Sequence, residues 1–356
     1  MSATARLRST LRARLPPLDR GTWLVGGLGG ATILATLVAF LAAPALTGFP
    51  LLAFLAVVGY GWYAYRESTA RFLSFLTTAS TVVILGLITV YLLVRSVPAF
   101  RTMGLDILLR TREPLWSTSA DVYSLVPMMW GTLVTTLIAM LIAGPLGVAG
   151  AIFLSEIAPG WAREVTKPAI EILAGIPSIV YGFLGFVVLN DYLMQELSVP
   201  NYGSYVAVGL VIGLMALPTV VSVAEDALAS IPDAMKDGAL ALGTTDWQTT
   251  TSVTLPAGFS GVSAAVLLGV GRVVGETMAA TVILGNITEL PDPLTDVFAN
   301  KITLTSLIAS QYGNASGLHM SALFAAGVVL FVTVLFLSVG SQLVEAHMQR
   351  KLGGKR

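Results

Sequence analysis

Residues 261–286 read GVSAAVLLGVGRVVGETMAATVILGN. Apart from Arg272 and Glu276, nothing in this run carries a charge. A helix crossing the hydrocarbon core, about 30 Å thick, needs about 20 mostly apolar residues. The run meets that requirement, and it is not alone. Working outward, apolar runs occupy roughly 22–43, 49–65, 72–95, 126–153, 169–189, 204–224, 258–285 and 321–343. The expected fold is all-α, a polytopic membrane bundle of about eight transmembrane helices. The 49–65 run is the shortest and ends in Tyr60, Trp62, Tyr63 and Tyr65, aromatics that suit a membrane interface. A full crossing and a re-entrant or interfacial segment both fit it.

Composition agrees. Of 356 residues, 55% are hydrophobic and 11% charged, against roughly a quarter charged in a soluble domain. Lys+Arg and Asp+Glu both number 20, so no basic excess points to nucleic acid. With no cysteine, disulfides, thiolate metal sites and thiol catalysis are excluded. The two histidines, His319 and His347, are too far apart in sequence for a His-rich metal motif.

Charge asymmetry orients the bundle. Residues 1–21 form a basic N-terminus with Arg6, Arg8, Arg12, Arg14 and Arg20 against Asp19. Such a stretch stays in the cytoplasm. The first apolar run is long and another follows almost at once, so a cleaved signal peptide is not expected. Eight crossings put both termini inside, and the basic tail 351–356 agrees. Short inside loops carry Arg66 with Arg71 and Arg163 with Lys167. Two outside loops are acid-rich, with Asp191 and Glu196, then Glu289, Asp292 and Asp296. The loop near 96–124 is mixed and gives no orientation.

Between the sixth and seventh runs lies a polar stretch, 225–256, reading EDALASIPDAMKDGALALGTTDWQTTTSVTLP. Pro232 suits a turn or a helix start. Residues from Asp233 suit a helix that stops at Gly243. Thr244 or Thr245 can cap a second helix running into Leu255-Pro256. The apolar set Ala234, Met235, Leu240, Leu242 and Trp247 argues against disorder. Two short helices with a tight turn are expected under the membrane, as a docking element rather than a plain connection.

Arg272 and Glu276 stand four residues apart, a spacing that puts both on one face of a helix. An unpaired arginine at a span centre costs about 2.5–3.5 kcal/mol on insertion scales. Two readings remain open on the residues alone. The pair neutralises itself and pins the bundle, or Arg272 lines an anion pathway with Glu276 orienting it. A guanidinium matches the oxygens of phosphate or carboxylate better than an ammonium does. Gly269, Gly271 and Gly275 leave room for a neighbouring helix or a solute.

Together these features resemble the inner-membrane permease subunits of ABC importers. Their signature loop has Glu-Ala-Ala, three residues, Gly, nine residues, then an aliphatic residue, any residue, Leu-Pro. Here it is Asp237-Gly238-Ala239, Gly243 and Val253-Thr254-Leu255-Pro256. Asp and Gly depart from the usual Glu and Ala, and the Gly costs up to ~1 kcal/mol of helix propensity. Within that group the chain looks like the phosphate permease of the PstC type. Ala151–Glu156 (AIFLSE), Glu171–Gly182 (EILAGIPSIVYG), the signature loop and Gly271–Ala279 (GRVVGETMA) carry the likeness. A PstA-type permease is similar in the second and fourth; Met278-Ala279 after Gly275-Glu276-Thr277 favours the PstC type.

The resemblance spans roughly residues 72–350. It implies a six-helix permease core with its coupling loop at 225–256, preceded by an added transmembrane pair at 22–71. It implies a half-channel moving inorganic phosphate across a bacterial or archaeal cytoplasmic membrane. Its partners would be a PstA-type permease, two ATPase subunits and membrane lipid. An extracytoplasmic phosphate-binding protein would meet loops near 96–124, 190–203 and 286–320. A cytoplasmic regulator would join in phosphate sensing. Arg272 and Glu276 match the family residues implicated in phosphate passage, with Gly275 and Thr277 in the same pathway. Asp237, Gly238, Ala239, Gly243, Leu255 and Pro256 would belong to the ATPase coupling loop. No G-x-x-x-x-G-K-[ST] pattern occurs, so the chain is not expected to be an enzyme. No cofactor or metal is expected on it, and ATP with magnesium would be used by the partner ATPase. The alternatives are a permease for another oxyanion such as phosphonate or molybdate, a secondary anion transporter, and a phosphate-sensing subunit.

Overall fold

The computed structural model describes residues 21, 23–199 and 201–352. The basic segment 1–20 and the tail residues 353–356 lie outside the described residues, so their expected sidedness rests on sequence. Among the described residues, seven helices are long and apolar enough to cross a membrane, and a bent pair makes an eighth. They are α1 (Trp23–Ala42), α2 (Pro44–Ala64), α3 (Arg66–Met103), α4 (Val126–Ile157), the bent pair α5 (Gly160–Gly175) and α6 (Ser178–Glu196), α7 (Tyr205–Ala229), α9 (Asp246–Val274) and the Gly317–Gly340 part of α12 (Gly317–Leu352). Shorter helices are α8 (Asp233–Ala241), α10 (Met278–Ile283) and α11 (Leu304–Gln311). Strands β1 (Trp116–Ser117) and β2 (Val122–Tyr123) pair antiparallel, Trp116 opposite Tyr123. The all-α membrane bundle expected from the apolar runs is therefore present. The short 49–65 run lies in a 21-residue helix, Pro44–Ala64, which has the length and composition to cross.

The chain divides into two compact units, Met1–Val90 and Tyr91–Arg356. The division falls within α3, which runs unbroken through residue 72. In the first unit, α2 meets its neighbours at Gly61, where a Cβ would lie 2.8 Å from Val25 Cγ2. In the second unit, α7 is the central helix, its buried residues running from Tyr205 to Leu228. Helix α4 packs on one side of it and α9 on another. At Gly213 an added Cβ would sit 2.9 Å from the Ala139 carbonyl, and at Gly269 it would sit 2.6 Å from Val220 Cγ2. Small residues let helix backbones approach where burial of apolar surface from water gives no drive, as inside a bilayer. Of the three glycines noted in the seventh run, Gly269 is the one that seats a helix; Gly271 has open space around it.

Two expected spans are not single straight helices. The fifth, expected at 169–189, turns through 88° between α5 and α6. Pro177 has no N–H, and a residue before proline is pushed toward extended backbone. Ile176 obeys, with φ −65° and ψ 128°. The seventh, expected at 258–285, stops at Val274 and restarts at Met278.

Candidate functional site

Helix α9 ends two residues after Arg272. Gly275 follows with φ −84° and ψ −4°, and its N–H still donates to the Gly271 carbonyl at 3.2 Å. The Glu276 N–H donates to the Val273 carbonyl at 3.2 Å, a tighter turn than an α-helix makes. The break at Gly275, a residue of poor helix propensity, therefore separates Arg272 from Glu276. The shared helix face expected from their spacing does not form.

Each residue of the break has its own role. Glu276 Oε1 accepts from the Ala279 N–H at 3.1 Å, so the carboxylate caps α10. Thr277 Oγ1 donates to the Gly275 carbonyl at 3.1 Å, and the Thr277 carbonyl accepts from Thr281 Oγ1 at 2.7 Å. The Glu276 carbonyl accepts from Thr305 Oγ1 at 2.8 Å. Arg272 is exposed, in the last turn of α9, where the negative end of the helix favours a cation. Among the described residues the ion pairs are Arg71–Glu67, Lys167–Glu225, Lys236–Glu156 and Lys301–Glu289; Arg272 with Glu276 is not one. Val270 and Val274 line an apolar groove of about 620 Å³ with Trp130, Leu133 and Met140. Two residues along a helix is a rotation of about 200°. Arg272 thus lies on the face of α9 away from that groove, within electrostatic reach of Tyr181.

The other end of α9 carries the second candidate site. Helix α8 runs Asp233–Ala241, Gly243 turns the chain at φ +89°, and Thr245 caps the next helix in a box closed by Gln248. The two helices, the glycine stop and the threonine cap match the expectation for 225–256. Asp237 and Gly238 are exposed on α8 and Ala239 is half-buried. Leu255 and Pro256 lie inside α9, Leu255 packing against the buried cluster that includes Ala224, Leu228 and Ile231. Met235, Leu240, Leu242 and Trp247 are all exposed, Leu242 at 88%. From Asp246 to Val274, α9 is about 42 Å long at 1.5 Å per residue. One rod thus joins this hairpin to the Arg272 break.

Four stretches distant in sequence meet in two pairs. Lys236 Nζ on α8 pairs with Glu156 Oε1 at 2.8 Å, both largely buried. This joins Ala151–Glu156 to the hairpin. Gly182 of α6 packs against α10, where a Cβ would fall 2.8 Å from Ala279 Cα and 3.2 Å from Val282 Cβ. This joins Glu171–Gly182 to Gly271–Ala279. Gly182→Leu is expected to force α10 off this seat and to destabilise the fold by about 1–3 kcal/mol. The melting temperature of detergent-solubilised protein checks it, and an unchanged melt would refute the contact.

Residues 143–350 match the family described as the binding-protein-dependent transport system inner membrane component. They make up more than half of the chain and contain both candidate sites. The chain belongs to this family of transport permeases. Among relatives of this permease, the phosphate transport system permease protein PstC of Haemophilus influenzae is 33% identical over 308 residues, covering 81% of this chain and 94% of its own. The probable ABC transporter permease protein YqgH of Bacillus subtilis is 38% identical over 249 residues, covering 69% of this chain and 80% of its own. In fold, the permease is similar to a bacterial alginate ABC transporter solved with its alginate pentasaccharide-bound periplasmic protein. That likeness has a TM-score of 0.56 at 16% identity, covering 82% of this chain and 99% of that one.

Sequence reasoning misses the partners of the break. Thr132, Thr303, Thr305 and Ser306 are all buried and hold α11 beside it. The available signal is a Thr-x-Thr-Ser cluster, Thr303 to Ser306, in a segment expected as an outside loop. Lys236 and Glu156 are equally silent, because an ion pair across 80 residues has no local pattern.

Proposed function

We propose that this chain is the PstC-type permease subunit of an ATP-driven importer that moves inorganic phosphate across a bacterial or archaeal cytoplasmic membrane. The observation that carries this reading is Arg272: an exposed guanidinium at the end of a membrane helix, with no carboxylate paired to it among the described residues. Such a group is tolerated in a bilayer only facing water, an anion or a partner chain. A PstA-type permease would complete the channel around it. Two ATPase subunits, holding ATP and magnesium, would dock on α8 and the start of α9, whose exposed Met235, Leu240, Leu242 and Trp247 suit a protein interface. A phosphate-binding protein would deliver substrate from outside, and a cytoplasmic regulator would read the loaded state. Both termini would then be cytoplasmic. The chain itself would hold no cofactor and hydrolyse no ATP. The likeness to PstC of Haemophilus influenzae supports phosphate over other oxyanions.

The test is uptake of radiolabelled phosphate by cells lacking this chain and by cells carrying it with its partner subunits. Restored uptake, resistant to excess molybdate and phosphonate, is expected. Restored molybdate or phosphonate uptake in place of phosphate would overturn the substrate. Copurification without an ATPase subunit would overturn the class.

A further inference from the structure

Helix α11, Leu304–Gln311, has eight residues and is about 12 Å long, far too short to cross a bilayer. Both of its ends are nevertheless held by side chains from distant parts of the second unit. At its N-terminus, Thr303 and Ser306 close a capping box. The Leu304 N–H donates to Thr132 Oγ1 on α4 at 3.0 Å. Thr303 and Thr305 hydroxyls lie 3.2 Å apart. Thr305 Oγ1 then donates to the Glu276 carbonyl at 2.8 Å. At its C-terminus, Gln311 Oε1 accepts from Trp116 Nε1 at 3.0 Å and is 2.8 Å from His319 Nε2. The carboxamide oxygen only accepts, so Nε2 is the protonated nitrogen of His319 in this arrangement. Trp116 and Tyr123 of the β1–β2 hairpin pack on the His319 ring, Tyr123 parallel to it at 5.6 Å between centroids. Burial and the hydrogen bond to Asp121 push the Tyr123 phenol up to about 12, which keeps it a neutral donor at physiological pH.

Buried hydroxyls are costly unless satisfied, and the buried Thr305 hydroxyl is satisfied by one carbonyl in the break, that of Glu276. Glu276 is thereby fixed twice, by Thr305 on its backbone and by the Ala279 N–H on its carboxylate. We propose that Thr305 is a positioning residue for Glu276, and that α11 is the strut linking the β1–β2 hairpin to the break through Gln311 at one end and Thr305 at the other. This rests on the phosphate-importer reading and names the part that aligns its pathway. Movement of the hairpin when the binding protein docks reaches Arg272 and Glu276 through this helix.

The experiment uses the complete transporter in proteoliposomes with its phosphate-loaded binding protein. Thr305→Val removes the hydroxyl and keeps the shape; Thr305→Ser restores it. Thr305→Val is expected to lower the maximal rate of phosphate uptake on the order of tenfold, with the half-saturating concentration of binding protein unchanged. Thr305→Ser should recover the rate. Gln311→Leu, at the far end of the strut, should lower the maximal rate in the same way, and it carries the test should Thr305→Val fail to assemble. Wild-type rates in both Thr305→Val and Gln311→Leu overturn the proposal, as does a Thr305→Ser variant as slow as Thr305→Val. Arg272→Gln in the same vesicles separates the two levels. If that variant is dead while the strut variants transport normally, only the strut is wrong. If it transports normally, the pathway reading beneath it is wrong as well.

Discussion

Arg272→Gln is expected to abolish phosphate uptake while the complex still assembles. A hydrogen bond to a charged group contributes about 1.5–3 kcal/mol, and each 1.36 kcal/mol is about a factor of ten in rate. A guanidinium that meets a phosphate with two parallel bonds can lose both, so a fall on the order of a hundredfold is predicted. Assembly should survive, because Arg272 is exposed and makes no ion pair among the described residues. The contacts that seat its helix lie elsewhere, at Gly269 against Val220. Arg272→Lys should recover part of the rate, since it keeps the charge and loses the fork. Uptake by the glutamine variant at the wild-type rate would end the anion-pathway reading.

Gly243→Glu should separate ATP hydrolysis from transport. Gly243 stands at φ +89° between α8 and α9, and a side chain there costs roughly 1–2 kcal/mol. The new carboxylate would also follow directly on Leu242, which is exposed at 88%. Hydrolysis by the partner ATPase is expected to continue while phosphate moved per ATP falls roughly tenfold or more, about 1.4 kcal/mol of lost coupling. Gly86→Ala on α3 is the matched control. Nothing lies within 4 Å of a Cβ there, and alanine favours the helix by up to ~1 kcal/mol. It should leave both rates alone. An unchanged phosphate-to-ATP ratio in the glutamate variant would remove the docking role of the hairpin.

The hairpin is legible in the amino-acid sequence because its signals are local. Pro232, Gly243 and the Thr245–Gln248 box each act within a few residues, and the chain follows them. The apolar runs are equally legible, since bilayer thickness sets their length. The break at Gly275 is not. Apolar residues flank it on both sides, and the i, i+4 spacing of Arg272 and Glu276 reads as helix. What decides it is tertiary: α10 needs a cap, Glu276 supplies one, and Thr305 satisfies the carbonyl left over. The bend at Pro177 lies between these cases. Its local cause is written in the sequence, but its 88° depends on where α6 packs.

The ion pair between Lys236 and Glu156 has a mechanical consequence. Removing one partner of such a buried pair leaves a lone charge, at a cost of about 3–5 kcal/mol. The pair therefore ties the hairpin to the end of α4. A load applied at Trp247 or Leu242 would enter along two helices at once, α9 by covalent continuity and α4 by electrostatic attachment. A motor docked on this one small handle, as proposed, would move a pair of helices in step.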